Sequence, residues 1–196
     1  MMPAQAPLFD EPAALPNGLV LVPDFLSAGE ERALVDAIRA LDLHEARYKA
    51  YTARRRVASF GASYDFDTNE VRPAPGLPPF LAPVRERVSA WLAIAPERFV
   101  QAMVSEYRPG TPLGWHRDVP QYEVIVGISL AADARMGFRP YPPRPHDRLL
   151  ALDLAPRSAY VLQGEVRWRW QHRIEATRAL RYSITFRTPA DDARRR

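Results

Sequence analysis

The chain contains no cysteine. Disulfides, zinc–cysteine sites and iron–sulfur clusters are thereby excluded, and any metal must sit on histidine and carboxylate. Long apolar runs are also missing: no stretch approaches the length of a membrane span. The start, Met1-Met2-Pro3-Ala4-Gln5-Ala6-Pro7, has no basic region leading into an apolar one. No secretory signal is expected, and the cytoplasm is the expected compartment. Lysine is scarce beside arginine, and acidic residues fall short of basic ones, for a net charge of +4. Two runs concentrate the excess, Arg54-Arg55-Arg56 and Arg194-Arg195-Arg196. That balance suits either a nucleic-acid partner or a solvated surface.

The 196 residues, 47% hydrophobic and 26% charged, make one domain long enough to bury a substantial core. Twenty prolines work against a mostly helical protein and favour strands and loops. Residues 1–16, rich in Pro and Ala, read as a flexible arm. Leu19 to Val22 reads as a short buried strand. Ser27-Ala28-Gly29-Glu30 has the form of a capping box and predicts a helix of about fourteen residues, with Leu34, Ile38 and Leu41 on one face. Residues 44–56 have no clean periodicity. Val57 to Phe66 is strand material broken at Gly61, and Thr68 to Pro79 reads as a loop. Leu81, Val84, Val88 and Trp91 mark a second helix, with Pro83 in its first turn.

From Phe99 onward the period changes to two. Phe99, Gln101, Met103, Ser105 and Tyr107 share one strand face, and Val100, Ala102 and Val104 share the other. Further strands are expected at 124–130, 149–154, 159–162, 167–172 and 180–187, with a Pro-rich excursion at 139–146. Short strands at this spacing indicate a β-sandwich or barrel for the C-terminal half.

One constellation carries chemistry. In Gly114-Trp115-His116-Arg117-Asp118, an imidazole and a carboxylate at alternate positions of an extended segment point to the same side. Joined by a further imidazole, His172, they make the two-histidine, one-carboxylate face that suits Fe(II) and leaves positions open. Trp168 and Trp170 would share His172's strand face. The run from Arg181 to Arg187 alternates strictly, with Arg181, Ser183, Thr185 and Arg187 on one side and Tyr182, Ile184 and Phe186 on the other. Such an arginine pair suits either a solvated outer face or a small dianion gripped by bidentate contacts. Ser105 and Tyr107 could add hydrogen bonds.

The order SxYxPG…HxD, then GxxRWxWxHxI, then RYSITFR, resembles the AlkB-like branch of the Fe(II)/2-oxoglutarate-dependent dioxygenases over roughly residues 17–188. The resemblance implies a mainly β fold with an α/β N-terminal extension, its double-stranded β-helix (jelly roll) core flanked by two helices. Residues 17–98 would be the extension and substrate lid, 99–188 the catalytic core and 189–196 a basic tail. His116, Asp118 and His172 would bind iron. Arg181 would pair with the distal carboxylate of 2-oxoglutarate, and Arg187 would sit near its metal-proximal end, with Tyr107 and Ser105 assisting. Ser105 stands where the family often has Asn. Pro120 stands where some nucleic-acid repair members carry a second acidic residue, so the resemblance does not identify the base. The match of His116-Arg117-Asp118 to a kinase catalytic loop fails, because Glu123 stands where Asn is required.

The implied reaction uses Fe(II), 2-oxoglutarate and molecular oxygen to demethylate alkylated nucleobases of DNA or RNA oxidatively, giving succinate, carbon dioxide and formaldehyde. The base must leave the stack to be reached. Tyr48, Tyr51 and Phe60 are the candidate stacking aromatics, and Arg54, Arg55 and Arg56 the candidate phosphate contacts. A monomer is expected. The alternatives are the same oxygenase chemistry on a protein side chain, or a non-catalytic nucleic-acid-binding module.

Overall fold

The structure, a computed structural model, describes residues 15–48, 51–65 and 67–191; the side chains of 47, 48 and 51–53 lie outside that description. Nearly all of the 1–16 arm and the Arg194–Arg196 run fall outside it as well. Among the described residues no helix is long and apolar enough to cross a membrane.

The first helix, α1 (Ala28–Arg39), begins where the capping box places it: Ser27 Oγ accepts from Glu30 N at 3.2 Å, and Glu30 Oε2 accepts from Ser27 N at 2.8 Å. The second, α2 (Ala82–Leu92), tolerates Pro83 because the first-turn amides have no intrahelical acceptor to lose. Both helices bury their apolar stripes on one side of a seven-stranded antiparallel sheet. That sheet contains β1 (Leu19–Val22), β2 (His44–Tyr48), β3 (Tyr51–Phe60), β6 (Gln101–Tyr107), β8 (Tyr122–Leu130), β11 (Ala159–Leu162) and β13 (Arg181–Pro189), in the order β1-β11-β8-β13-β6-β3-β2. A second sheet, β10-β9-β12-β7, is made of β7 (Leu113–His116), β9 (Ala134–Pro140), β10 (Leu150–Leu154) and β12 (Trp170–Ile174). A hairpin of β4 (Ala62–Asp65) and β5 (Glu70–Pro73) stands apart from both. The two sheets form the jelly-roll core expected from the sequence, with the two helices on its flank.

The period of two decides which side chains meet where. On β13, Tyr182, Ile184 and Phe186 enter the helix-side core together with Ala102 and Val104 of β6 and Val126 and Ile128 of β8. Their alternates turn toward the smaller sheet, where Met136, Phe138, Leu152 and Leu154 close the other end of the interior. Fully burying a side chain such as Phe186 contributes about 2–3 kcal/mol.

Several expectations need correction. Residues 167–172 are not one strand: a short helix, α3 (Gly164–Arg169), precedes β12, so Trp168 does not share a strand with His172. The alternation of Trp168 and Trp170 imitates a strand, but Arg167 is bound to backbone carbonyls elsewhere in the fold and fixes a helical turn. β9 fills the stretch between the strand read at 124–130 and the excursion read at 139–146 and runs two residues into the latter; arginines at its outward positions interrupt the apolar run and hide it. Residues 44–56 hold β2 and the start of β3, and the loop read at 68–79 contains β5. The larger sheet runs across residue 99: β3 pairs directly with β6 and β1 with β11. Gly61 does end β3: at φ +74° a Cβ there would lie 2.3 Å from the Val100 carbonyl oxygen. Phe99 departs from the face of Met103 and Tyr107 and packs edge-on against Phe186 in the helix-side core.

Candidate active site

β7 and β12 are hydrogen-bonded neighbours with His116 directly opposite His172. Cross-strand partners on one face stand close, and the two imidazoles lie 4.2 Å apart between ring centres. Asp118 follows two residues after His116, and the three side chains offer ligand atoms that all lie within 4.8 Å of one another. His116 Nδ1 sits 2.8 Å from the Gly114 carbonyl oxygen, which can only accept, so Nδ1 carries the proton and Nε2 is the free donor atom. Burial, with His116 alongside, pushes the His172 imidazole down to about 3, and burial lowers His116 too. Both are therefore neutral near pH 7, the form a metal takes. Burial alone would raise the Asp118 carboxyl, but Arg187 together with His172, Arg167 and His116 outweighs it and holds the group well below the usual carboxylate range. Two neutral imidazoles and one carboxylate on a face are a donor set that fits Fe(II).

The inner face of β13 supplies the rest. Arg181 is 1% exposed; its Nε donates to Ser129 Oγ at 3.0 Å, while Nη1 and Nη2 are buried with no hydrogen-bond partner among the described residues. A buried guanidinium with both terminal amines unsatisfied is costly unless an anion completes it. The arrangement fits a dicarboxylate held at its far end. Tyr107 lies under Arg181, with 5.0 Å from guanidinium carbon to ring centre, and nearby on β6 Ser105 Oγ is buried without a hydrogen bond among the described residues. Arg187 turns to the ligands: Nε and Nη2 donate to Asp118 Oδ1 at 3.0 and 2.8 Å, and Nη1 to Gln101 Oε1 at 2.9 Å. His116, Asp118, His172, Tyr107, Arg181 and Arg187 line one cavity between the sheets.

Fold, donor set and incomplete arginine coincide with a family pattern. The sequence profile of the 2OG-Fe(II) oxygenase superfamily matches residues 18–187. The chain belongs to that superfamily. Within it the oxygenase is AlkB-like. It is 31% identical over 190 residues to a protein of Arabidopsis thaliana named alkylated DNA repair protein ALKBH8 homolog, covering 85% of this chain and 53% of that protein. It is 28% identical over 170 residues to the Mus musculus tRNA (carboxymethyluridine(34)-5-O)-methyltransferase ALKBH8, covering 82% of this chain and 24% of that one. The oxygenase thus spans about half or less of the length of these relatives. Among solved structures, OsALKBH1 superposes with a TM-score of 0.68 at 15% identity, covering 89% of this chain and 98% of that one. A Pseudomonas putida prolyl-4-hydroxylase does so at 0.65, also at 15% identity, covering 88% and 93%. These two likenesses bear on the jelly-roll fold. The oxygenase is an enzyme of the dioxygenase type that uses Fe(II), 2-oxoglutarate and oxygen.

The residues expected to meet substrate fare differently. The side chains of Tyr48 and Tyr51 lie outside the described residues. Phe60 is not available for stacking: alternation on β3 turns it into the helix-side core, where it is 9% exposed. Arg55 points the other way, into the cavity, its Nη1 donating to Tyr107 Oη at 3.4 Å, so it is not a surface phosphate contact. Arg56 is committed to Glu106 at 3.1 Å and to the Leu43 carbonyl at 2.6 Å. Arg54 is exposed.

One residue the sequence reading passed over ties the ligand segments together. Arg167, 3% exposed, donates from Nη2 to the carbonyls of Val119 (2.8 Å) and Tyr122 (2.6 Å), with Nε at 3.2 Å from the latter. It thereby fastens the loop after Asp118 to the helix that leads into His172. In return Arg117 Nη1 donates to the Trp168 carbonyl at 3.1 Å. The only available signal was an arginine inside an aromatic run, which reads equally well as an exposed strand position.

Proposed function

We propose that this oxygenase removes alkyl groups from nucleobases of DNA or RNA by oxidation. The observation that carries the chemistry is Arg181, whose two unpartnered amines face the same cavity as the histidine–aspartate triad. Molecular oxygen would be the oxidant, bound Fe(II) would activate it, and 2-oxoglutarate would supply two of the electrons as it is converted to succinate and carbon dioxide; a methyl group would leave as formaldehyde. The chain's own residues bind and orient. His116, Asp118 and His172 would hold the metal, and Arg181 would take the distal carboxylate of the cosubstrate with Tyr107 against it. Arg187 keeps Asp118 charged and aimed. Ile125, Met136, Leu162 and Ile174 wall the cavity and exclude water from it.

A nucleic-acid substrate is supported by the relatives, one named for repair of alkylated DNA and the other for a tRNA modification. The target base must be extruded to reach a cavity between two sheets. The test is formaldehyde and succinate release with Fe(II) and 2-oxoglutarate, on 1-methyladenine and 3-methylcytosine oligonucleotides in DNA and RNA form, beside methylated peptides. Release stimulated by the oligonucleotides alone is expected. Stimulation by peptides alone would replace this reading with protein-side-chain oxidation.

A further inference from the structure

The strands that carry the iron ligands inward carry a cationic ladder outward. On β9, Met136 and Phe138 are buried in the interior, so Arg135, Gly137 and Arg139 face away from it. Their neighbours on β12 and β7 do the same. The Arg139 and Arg173 guanidiniums lie 4.6 and 4.8 Å from the centre of the Trp115 ring, and Arg117 lies 3.8 Å from that of Tyr141, itself 42% exposed. Gly137 gives this layer its floor, since a Cβ there would meet Arg173 Nε at 2.9 Å and the Trp115 ring at 3.3 Å. Neither α1 nor α2 covers this face, because both lie on the other sheet.

The charge on the face is not cancelled. Asp153 is taken by Arg135 at 3.1 Å and Glu175 by Arg173 at 2.9 Å. Arg117 and Arg139 have no carboxylate partner among the described residues; they are anchored instead by the Trp168 carbonyl and by Gln171 Oε1, the latter at 2.8 Å. Stacking a guanidinium on a ring uses its flat face and leaves in-plane N–H groups pointing outward, already oriented for a bidentate acceptor. The ladder also sits beside the chemistry. Trp115 and Arg117 flank His116, Gln171 and Arg173 flank His172, and Arg139 pairs across to Gln171.

We infer that this outer face, with Arg117 and Arg139 as its uncancelled cations and Trp115 and Tyr141 as their supports, binds the phosphodiester backbone of the nucleic-acid strand flanking the target base. The inference rests on the nucleic-acid reading above and adds a surface to it. Fixed cations beside an incompletely buried ligand, His116, would hold the strand where an extruded base can enter.

The experiment is fluorescence anisotropy of a labelled single-stranded oligonucleotide of ~12 nucleotides without any lesion, titrated over a range of NaCl concentrations. The proteins are wild type, Arg117→Gln, Arg139→Gln, the double variant and, as a control on α1, Arg39→Gln. The glutamines keep much of the stems, and thermal midpoints verify folding. Each single variant is expected to weaken binding by ~3–10-fold and to lower the salt slope by about 0.7–1, the double variant by both together, and the control by neither. Wild type that fails to bind overturns the inference, as does a double variant within about twofold of wild type. Arginine-dependent binding without formaldehyde from methylated DNA or RNA supports the surface while sinking the demethylation reading. Turnover on methylated oligonucleotides that is matched by the double variant, with equal binding, does the opposite.

Discussion

Arg187 forks onto a single oxygen of Asp118: Nε and Nη2 both reach Oδ1, leaving Oδ2 facing His172 Nε2 at 3.5 Å. The pairing selects which oxygen remains for a metal and keeps it deprotonated. Replacing Arg187 with Gln should weaken metal binding by about 10–100-fold, as losing the partner of a ligating carboxylate commonly does. Titration of the protein with Co(II), followed by its visible absorption, reads this directly. Asp118→Ala should abolish turnover with the fold retained; unchanged activity would remove Asp118 from the metal site.

Arg181 makes a prediction of opposite sign for stability and binding. Its terminal amines are buried and unpartnered, so without an anion the charge is a burden to the fold. Arg181→Met should leave the thermal midpoint of the cosubstrate-free protein unchanged or higher. The same change should lower 2-oxoglutarate affinity at least ~100-fold, since charge-assisted hydrogen bonds contribute ~1.5–3 kcal/mol each. Calorimetry gives both quantities; a lower midpoint with intact 2-oxoglutarate binding would contradict the assignment.

Arg167 acts through the loop it holds. Arg167→Met leaves the Val119 and Tyr122 carbonyls without that donor and should cost about 2–4 kcal/mol in urea unfolding. If the brace positions Asp118, metal affinity should fall as well, and Arg167→Lys should recover part of it through a single N–H contact. A variant that loses stability but keeps wild-type Co(II) affinity would make Arg167 purely structural.

Alkaline pH has a defined signature. Burial pushes the Tyr160 phenol up to about 12 and raises Tyr122 in the same direction. An unfolded tyrosine ionises near pH 10. Between those values the unfolded chain has lost a proton the folded chain still binds, so stability is intact below about pH 10 and falls as pH rises toward 12. The loss attributable to Tyr160 reaches about 2–3 kcal/mol. Urea midpoints at rising pH should decline, and less so for Tyr160→Phe; equal slopes would refute the burial argument.

The sequence was most legible where the period is short and local. The Arg181–Arg187 alternation separates two sets of side chains and the structure keeps them on opposite faces, but only the packing of β13 shows that the arginine set faces the cavity rather than solvent. It was least legible where a distant backbone sets the conformation. Trp168 and Trp170 look like alternate strand positions until Arg167 meets carbonyls more than forty residues away. Phe60 failed for a related reason: an aromatic beside a basic run looks like a stacking platform, and only the pairing of β3 with β6 reveals that it faces the helices. The Arg117–Tyr141 contact joins two loops and leaves no trace in spacing at all.

The uninterrupted pairing of β3 with β6 and of β1 with β11 has a practical corollary for anyone trimming the protein. A fragment beginning at Phe99 would keep every candidate ligand yet carry two raw sheet edges, one along β6 and one along β11. Unprotected edges of that kind recruit other chains. The shortest soluble catalytic unit should therefore begin before Leu19, not where the jelly-roll strands begin to dominate.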